Sequence, residues 1–173
     1  MSNARVGILT VLSLLVFLSA PTARAQDAPL EATVVSVTGT VEVKAADEQA
    51  WRPAAVDMAL AEGTTISTGV KSKVALDFAG HAMVTISRPS IVTVSRFLMQ
   101  QGQVQTVLQL QVGSMKAGVK KERIRSDFRV IMPAVTLSVR GTEIAEITYS
   151  EMGAKVCMGT EGLLDMTRYD RDM

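Results

Sequence analysis

One histidine, His81, and one cysteine, Cys157, are the only residues of their kinds in the 173-residue chain, and they limit what chemistry it can support. A zinc-type centre needs three or four donors held together. A lone His and a lone Cys cannot supply a His/Cys set, and a Cys–His dyad would need two distant strands to meet. His81 follows Ala79-Gly80, a turn pattern, so a solvated turn residue is expected there. Cys157 lies in the apolar run Ala154 to Met158 and reads as a small packed residue, with pairing between chains as the alternative. Serines and threonines are plentiful, but no Gly-x-Ser-x-Gly elbow presents one. Glu143 and Glu146 are separated by an odd number, which puts them on opposite faces of a strand and argues against a two-carboxylate glycosidase pair. No Gly-x-x-x-x-Gly-Lys loop is present to cradle a phosphate. Methionines such as Met83, Met115, Met132, Met158 and Met166 are scattered along strand-like segments, which suits core filling better than a copper(I) cluster. The expectation is a non-enzyme with no catalytic, cofactor or metal residues.

What remains is binding chemistry. Lys116, Lys120, Lys121, Arg123 and Arg125 form a basic cluster diluted by Glu122 and Asp127. It reads either as a solvated turn or as a docking patch for an acidic protein or an anionic envelope polysaccharide. Trp51, the single tryptophan, either covers an open end of the core or stacks on a ligand. Together these residues are the candidate partner surface. Arg140, beside Gly141, is placed to donate to carbonyls of a neighbouring chain segment, a structural role rather than a ligand contact.

These side chains must be positioned by a domain that begins after an export leader. Arg5 precedes the apolar run Val6 to Ala20, Pro21 ends it, and Ala23-Arg24-Ala25 offers the small-x-small pattern of a cleavage site. The run is short of the about 20 residues that a bilayer span needs. Residues 1–25 are therefore expected to be a signal peptide cleaved after Ala25, with an uncleaved anchor as the alternative, which places the protein in the periplasm or outside the cell. Removing Arg5 and Arg24 takes the formal net charge from +1 to −1. A near-neutral mixed surface lacks the basic face that nucleic-acid binding requires. The expected organisation is a flexible leader at 26–32, one domain over 33–168 and a tail at 169–173.

Within that domain the apolar pattern has period two in segment after segment. Val74, Leu76 and Phe78 alternate with Lys73, Ala75 and Asp77. Val104, Thr106, Leu108, Leu110 and Val112 alternate with Gln105, Val107, Gln109 and Gln111. The pattern predicts about a dozen short strands, with turns at Thr38-Gly39, Thr68-Gly69, Ala79-Gly80-His81, Arg88-Pro89 and Arg140-Gly141. It also predicts one or two helical turns over 56–62 and a polar connection over 96–103. Glycines recur at similar corners, which favours stacked coils over a closed barrel. The fold class expected is all-β, a short-stranded solenoid-like or twisted-sandwich domain.

The order of motifs resembles a FecR-type domain. Gly39-Thr40-Val41 and Trp51 come first, followed by Gly63-Thr64-Thr65-Ile66-Ser67-Thr68-Gly69 and the strand Ser72 to Phe78. Leu108 to Gly113 and Phe128-Arg129-Val130 with Pro133 come next. Val139-Arg140-Gly141-Thr142 and Glu161-Gly162-Leu163-Leu164 close the series. The match runs from about Val35 to Thr167. Ala79-Gly80-His81 departs from it, since the family usually has an acidic residue before that glycine. The resemblance implies an all-β periplasmic domain. In its best-known members this domain follows a membrane helix and a cytoplasmic anti-sigma segment, and it relays the state of an outer-membrane receptor. This chain is expected to lack both extra parts and to act as a periplasmic recognition module. The motif residues Thr68, Gly69, Val139, Arg140, Gly141 and Thr142 are expected to be structural. Another envelope protein is the expected partner, with an anionic polysaccharide as the alternative.

Overall fold

The computed structural model describes residues 27–120, 125–140, 145–150, 152–158 and 163–168. These form fourteen strands and no helix. In chain order the strands are β1 (Ala28–Pro29), β2 (Ala32–Thr38), β3 (Val41–Lys44), β4 (Arg52–Pro53), β5 (Ala59–Leu60), β6 (Thr65–Thr68) and β7 (Lys73–Phe78). They continue with β8 (Ala82–Gln100), β9 (Gln103–Val119), β10 (Arg125–Ile131), β11 (Val135–Arg140), β12 (Ala145–Ser150), β13 (Gly153–Met158) and β14 (Leu163–Arg168). All belong to one hydrogen-bonded sheet.

The sheet is organised by the β8–β9 hairpin, whose strands are 19 and 17 residues long. Each strand takes two further sets of partners. The early part of β8 pairs with β7, and the late part of β9 pairs with β12, so β5-β2-β7-β8-β9-β12-β13 forms a first leaf. The late part of β8 pairs with β6 and β1, and the early part of β9 pairs with β10. The second leaf is thus β4-β3-β6-β8-β9-β10-β11-β14, with β1 beside β8. Among the described strands only the β9–β10 pairing is parallel.

The hairpin does not run straight. A strand drawn from Ala82 to Phe97 would span about 50 Å at about 3.3 Å per residue. Yet Phe78, which pairs with Ala82, sits edge-on to Phe97 with ring centroids 5.1 Å apart. The hairpin therefore folds back, and the two leaves enclose a single apolar core. Sheets that turn a corner do so at bulges, and the register of β8 against β9 slips at Ser87/Ile91, Ile91/Val92 and Val94/Arg96.

Those slips decide which side chains face inward. Ala82, Val84, Ile86, Val92 and Val94 of β8 are buried. The extra residue near Ser95 then reverses the alternation, so that Phe97 rather than Arg96 enters the core. On β9 the extra residue Gln111 does the same. Val104, Leu108 and Leu110 are buried, but Val112 is 41% exposed and inward packing resumes at Met115 and Ala117. Val112 is thus not the core residue that simple alternation makes it.

Three further expectations are corrected. Residues 56–62 contain strand β5 and turns rather than helical turns, because Leu60 must lie flat beside Ala32 to be buried. Arg88-Pro89 does not separate two strands: Arg88 takes φ 68 and the chain runs on, since Ser90 rejoins the ladder opposite Thr68. The polar stretch Arg96 to Gln100 is strand, paired with β9, and the reversal is confined to Gln101 and Gly102, both at positive φ. Near the leader, Ala28 and Pro29 pair with Met99 and Leu98, and Ala32 is fully buried.

Candidate functional site

The corner where the hairpin folds is built from hydroxyl groups that replace missing ladder bonds. Thr68 Oγ1 donates to the Arg88 carbonyl and accepts from Ser90 N–H at 3.1 Å. Ser90 Oγ donates to the Ser87 carbonyl at 2.9 Å and accepts from Ser114 N–H at 2.9 Å. Thr148 Oγ1 donates to Ser114 Oγ at 3.1 Å, tying β12 to the same point. Buried polar groups need such partners. Gly113 makes the approach possible: it sits at φ +112, and a Cβ there would lie 2.0 Å from Ser90 Oγ.

A second corner lies beside the first. Gly69 N–H donates to the Thr40 carbonyl at 2.9 Å, and Thr40 N–H donates to Ser72 Oγ at 2.9 Å. Two of the glycine corners noted in the sequence therefore meet each other. Thr68 and Gly69 hold strands together here, and Val139 is buried on β11 opposite Phe128. Arg140 is placed as the last residue of β11, while Gly141 and Thr142 lie outside the described residues.

The candidate partner surface is divided. Trp51 is 41% exposed beside β4, at the edge of the second leaf, with Lys44 Nζ 5.2 Å from its ring centroid in a cation–π contact. Arg52, next to it, pairs with Glu48 at 3.6 Å. Lys116 stands on the first leaf, in the late part of β9, and its ammonium lies 3.4 Å from Glu146 of β12. Lys120 follows the end of β9, and its N–H donates to the His81 carbonyl at 3.0 Å. Arg125 is placed as the first residue of β10, and Lys121 and Arg123 lie outside the described residues. Trp51 and Lys116 are thus on different leaves, and each already has a partner of its own.

Among the other residues considered for chemistry, His81 closes the β7–β8 turn by donating from its backbone N–H to the Phe78 carbonyl at 3.0 Å. Asp77 caps the same turn by accepting from Gly80 N–H at 3.0 Å. Met115 and Met132 are core residues, whereas Met83 is exposed. Glu146 points away from the core, and Glu143 lies outside the described residues. Among the described residues no three His, Cys, Asp or Glu side chains converge. On the outer face of β10, Arg129 grips Asp127 through two contacts of Nε at 3.1 Å. That hydrogen bonding raises the guanidinium pKa above its ordinary value, against a smaller opposing effect of burial.

The sequence reading did not identify Ser72, Ser90 and Ser114 as the corner groups. A serine carries no apolar signal, and only the adjacent Gly113 and the Arg88-Pro89 break hinted at a change of direction. Lys44 over Trp51 was hidden for a different reason, since the contact depends on the β3–β4 pairing of Val43 with Arg52.

A scan against protein families matches the model described as FecR protein to residues 64–159. That span covers strands β6 to β13 and so takes in the whole β8–β9 hairpin and its corner. No curated protein and no solved structure matches the chain.

Proposed function

The chain belongs to the FecR protein family, and from that premise we propose that it is an exported, non-catalytic module that recognises another protein of the cell envelope. FecR proteins form a non-enzymatic signalling and regulatory family. The leader at 1–25 supports a periplasmic or extracellular location, and the near-neutral balance of the rest supports a protein rather than a nucleic acid as partner.

The observation that carries the choice between protein and polysaccharide is the separation of Trp51 from Lys116. A polyanionic glycan would call for stacking and cationic groups on one continuous surface. Here the aromatic group lies at the edge of one leaf and the lysine near the middle of the other, the first engaged by Lys44 and the second by Glu146. What the molecule does offer a protein is an extended sheet with strand edges, whose main-chain groups bind any segment that adopts the same conformation.

Two columns loaded from one periplasmic extract test this. The tagged mature protein is expected to retain a specific envelope protein, and to pass through an anionic-glycan column at physiological salt. Retention by the glycan with no protein captured would reverse the order of the two readings. A cleaved N-terminus at Gln26, read by mass spectrometry of the exported protein, checks the location independently.

A further inference from the structure

The outermost strands of the sheet are finished differently. At β5 the inward side chain, Leu60, is fully buried against Ala32. In the second leaf β4 contains Pro53 and β1 contains Pro29, and proline has no N–H to offer a further strand. Strands β13 and β14 contain no proline, and among the described strands they pair only with β12 and β11 respectively; β13 is set apart by what its side chains present. Burial also falls off toward it. Met115, Ala117, Ala145 and Ile147 are fully buried across β9 and β12, whereas Tyr149, Ala154 and Val156 pack against the same core and stay half-buried. On the outer face Lys155 is exposed opposite the uncharged Thr148, while Lys116 on β9 is already matched by Glu146.

We infer that β13 takes up an extended segment of the partner protein as an added strand. Apolar side chains of that segment cover Ala154 and Val156, and an acidic side chain stands beside Lys155. The inference rests on the protein-partner reading and names its surface. A second copy of the chain fits worse, because self-pairing centred on Lys155 sets two ammonium groups opposite each other, and like charges directly across a ladder are destabilising. A lysine on an edge strand is also a means by which proteins discourage self-association.

The probe is a synthetic ten-residue peptide that alternates valine with threonine and carries one central glutamate, titrated into the isotope-labelled mature protein. Amide shifts are expected on β13 and β12. Lys155→Glu is expected to weaken binding about three- to tenfold, and a peptide with lysine in place of glutamate to recover most of that loss. Lys155→Pro and Val156→Pro form a second pair. Successive N–H groups point to opposite sides of a strand, so one of the two removes the outward donor and leaves the β12 ladder intact. Lys155 is an exposed side chain, so the charge exchange remains informative even if both proline variants fail to fold. Shifts centred on another strand, no shift on β13 at millimolar peptide, or indifference of both peptides to Lys155→Glu would overturn the inference. So would a dimer in sedimentation that an edge variant dissolves. In the extract experiment, a partner captured equally by the native protein and by Lys155→Glu and Val156→Pro sinks the edge and leaves the protein-partner reading standing. Capture of no protein sinks both.

Discussion

At the scale of single residues, the fold depends on a few small polar groups at the corner rather than on its abundant valines. Gly113 is there because nothing larger fits: its φ is +112, and a methyl group would overlap Ser90. Gly113→Ala is expected to cost about 3 kcal/mol, combining left-handed strain with the loss of the Ser90 bonds. Urea unfolding at constant m-value checks it. Thr68→Val keeps the shape but strands the Arg88 carbonyl and Ser90 N–H, both of which Thr68 Oγ1 serves. The expected loss is about 1–3 kcal/mol, and an unchanged midpoint would show that water takes over both groups. Arg88 makes the opposite case. It is an exposed non-glycine residue at φ 68. Left-handed geometry costs such a residue about 1–2 kcal/mol, and glycine in the unfolded chain gives part of that back. Arg88→Gly is therefore expected to be neutral or to stabilise by about 0.5 kcal/mol in the same assay.

At the scale of elements, sequence alternation was informative wherever a strand pairs without interruption. Val74, Leu76 and Phe78 of β7, and Val104 to Leu110 of β9, point inward as period two requires. The glycine turn at Gly80 is also where the chain reverses, and Gly39 is where it passes from β2 on the first leaf to β3 on the second, both at positive φ. What alternation could not reveal was the joining of short runs into 19- and 17-residue strands. A bulge inserts one residue and exchanges the two faces, so Val112 and Phe97 each break a pattern read from their neighbours. Continuity across Arg88-Pro89 depends on bonds from Thr68, a residue 20 positions away, and no local window contains that information. The partner surface was less legible still. Its residues were grouped by nearness in sequence and by charge, whereas the topology sends Trp51 and Lys116 to separate leaves. Lys155 went unmarked because an edge strand is defined by what does not lie beside it.

At the scale of the whole molecule, the Phe78–Phe97 contact joins the leaves across the core. Truncating Phe97 to alanine is expected to cost about 3–5 kcal/mol, measured as a fall in unfolding midpoint. The far-ultraviolet dichroism of the mature protein is expected to show strand bands with no helical minima. The β8–β9 hairpin has a larger consequence. Its strands are common to both leaves, so neither leaf can melt while the other keeps its full ladder. Heating should produce one cooperative transition, with calorimetric and van't Hoff enthalpies equal, and no half-molten species for proteases to trim. Such all-or-none behaviour keeps the molecule from dwelling in a sticky, partly unfolded state with its valine-rich faces exposed.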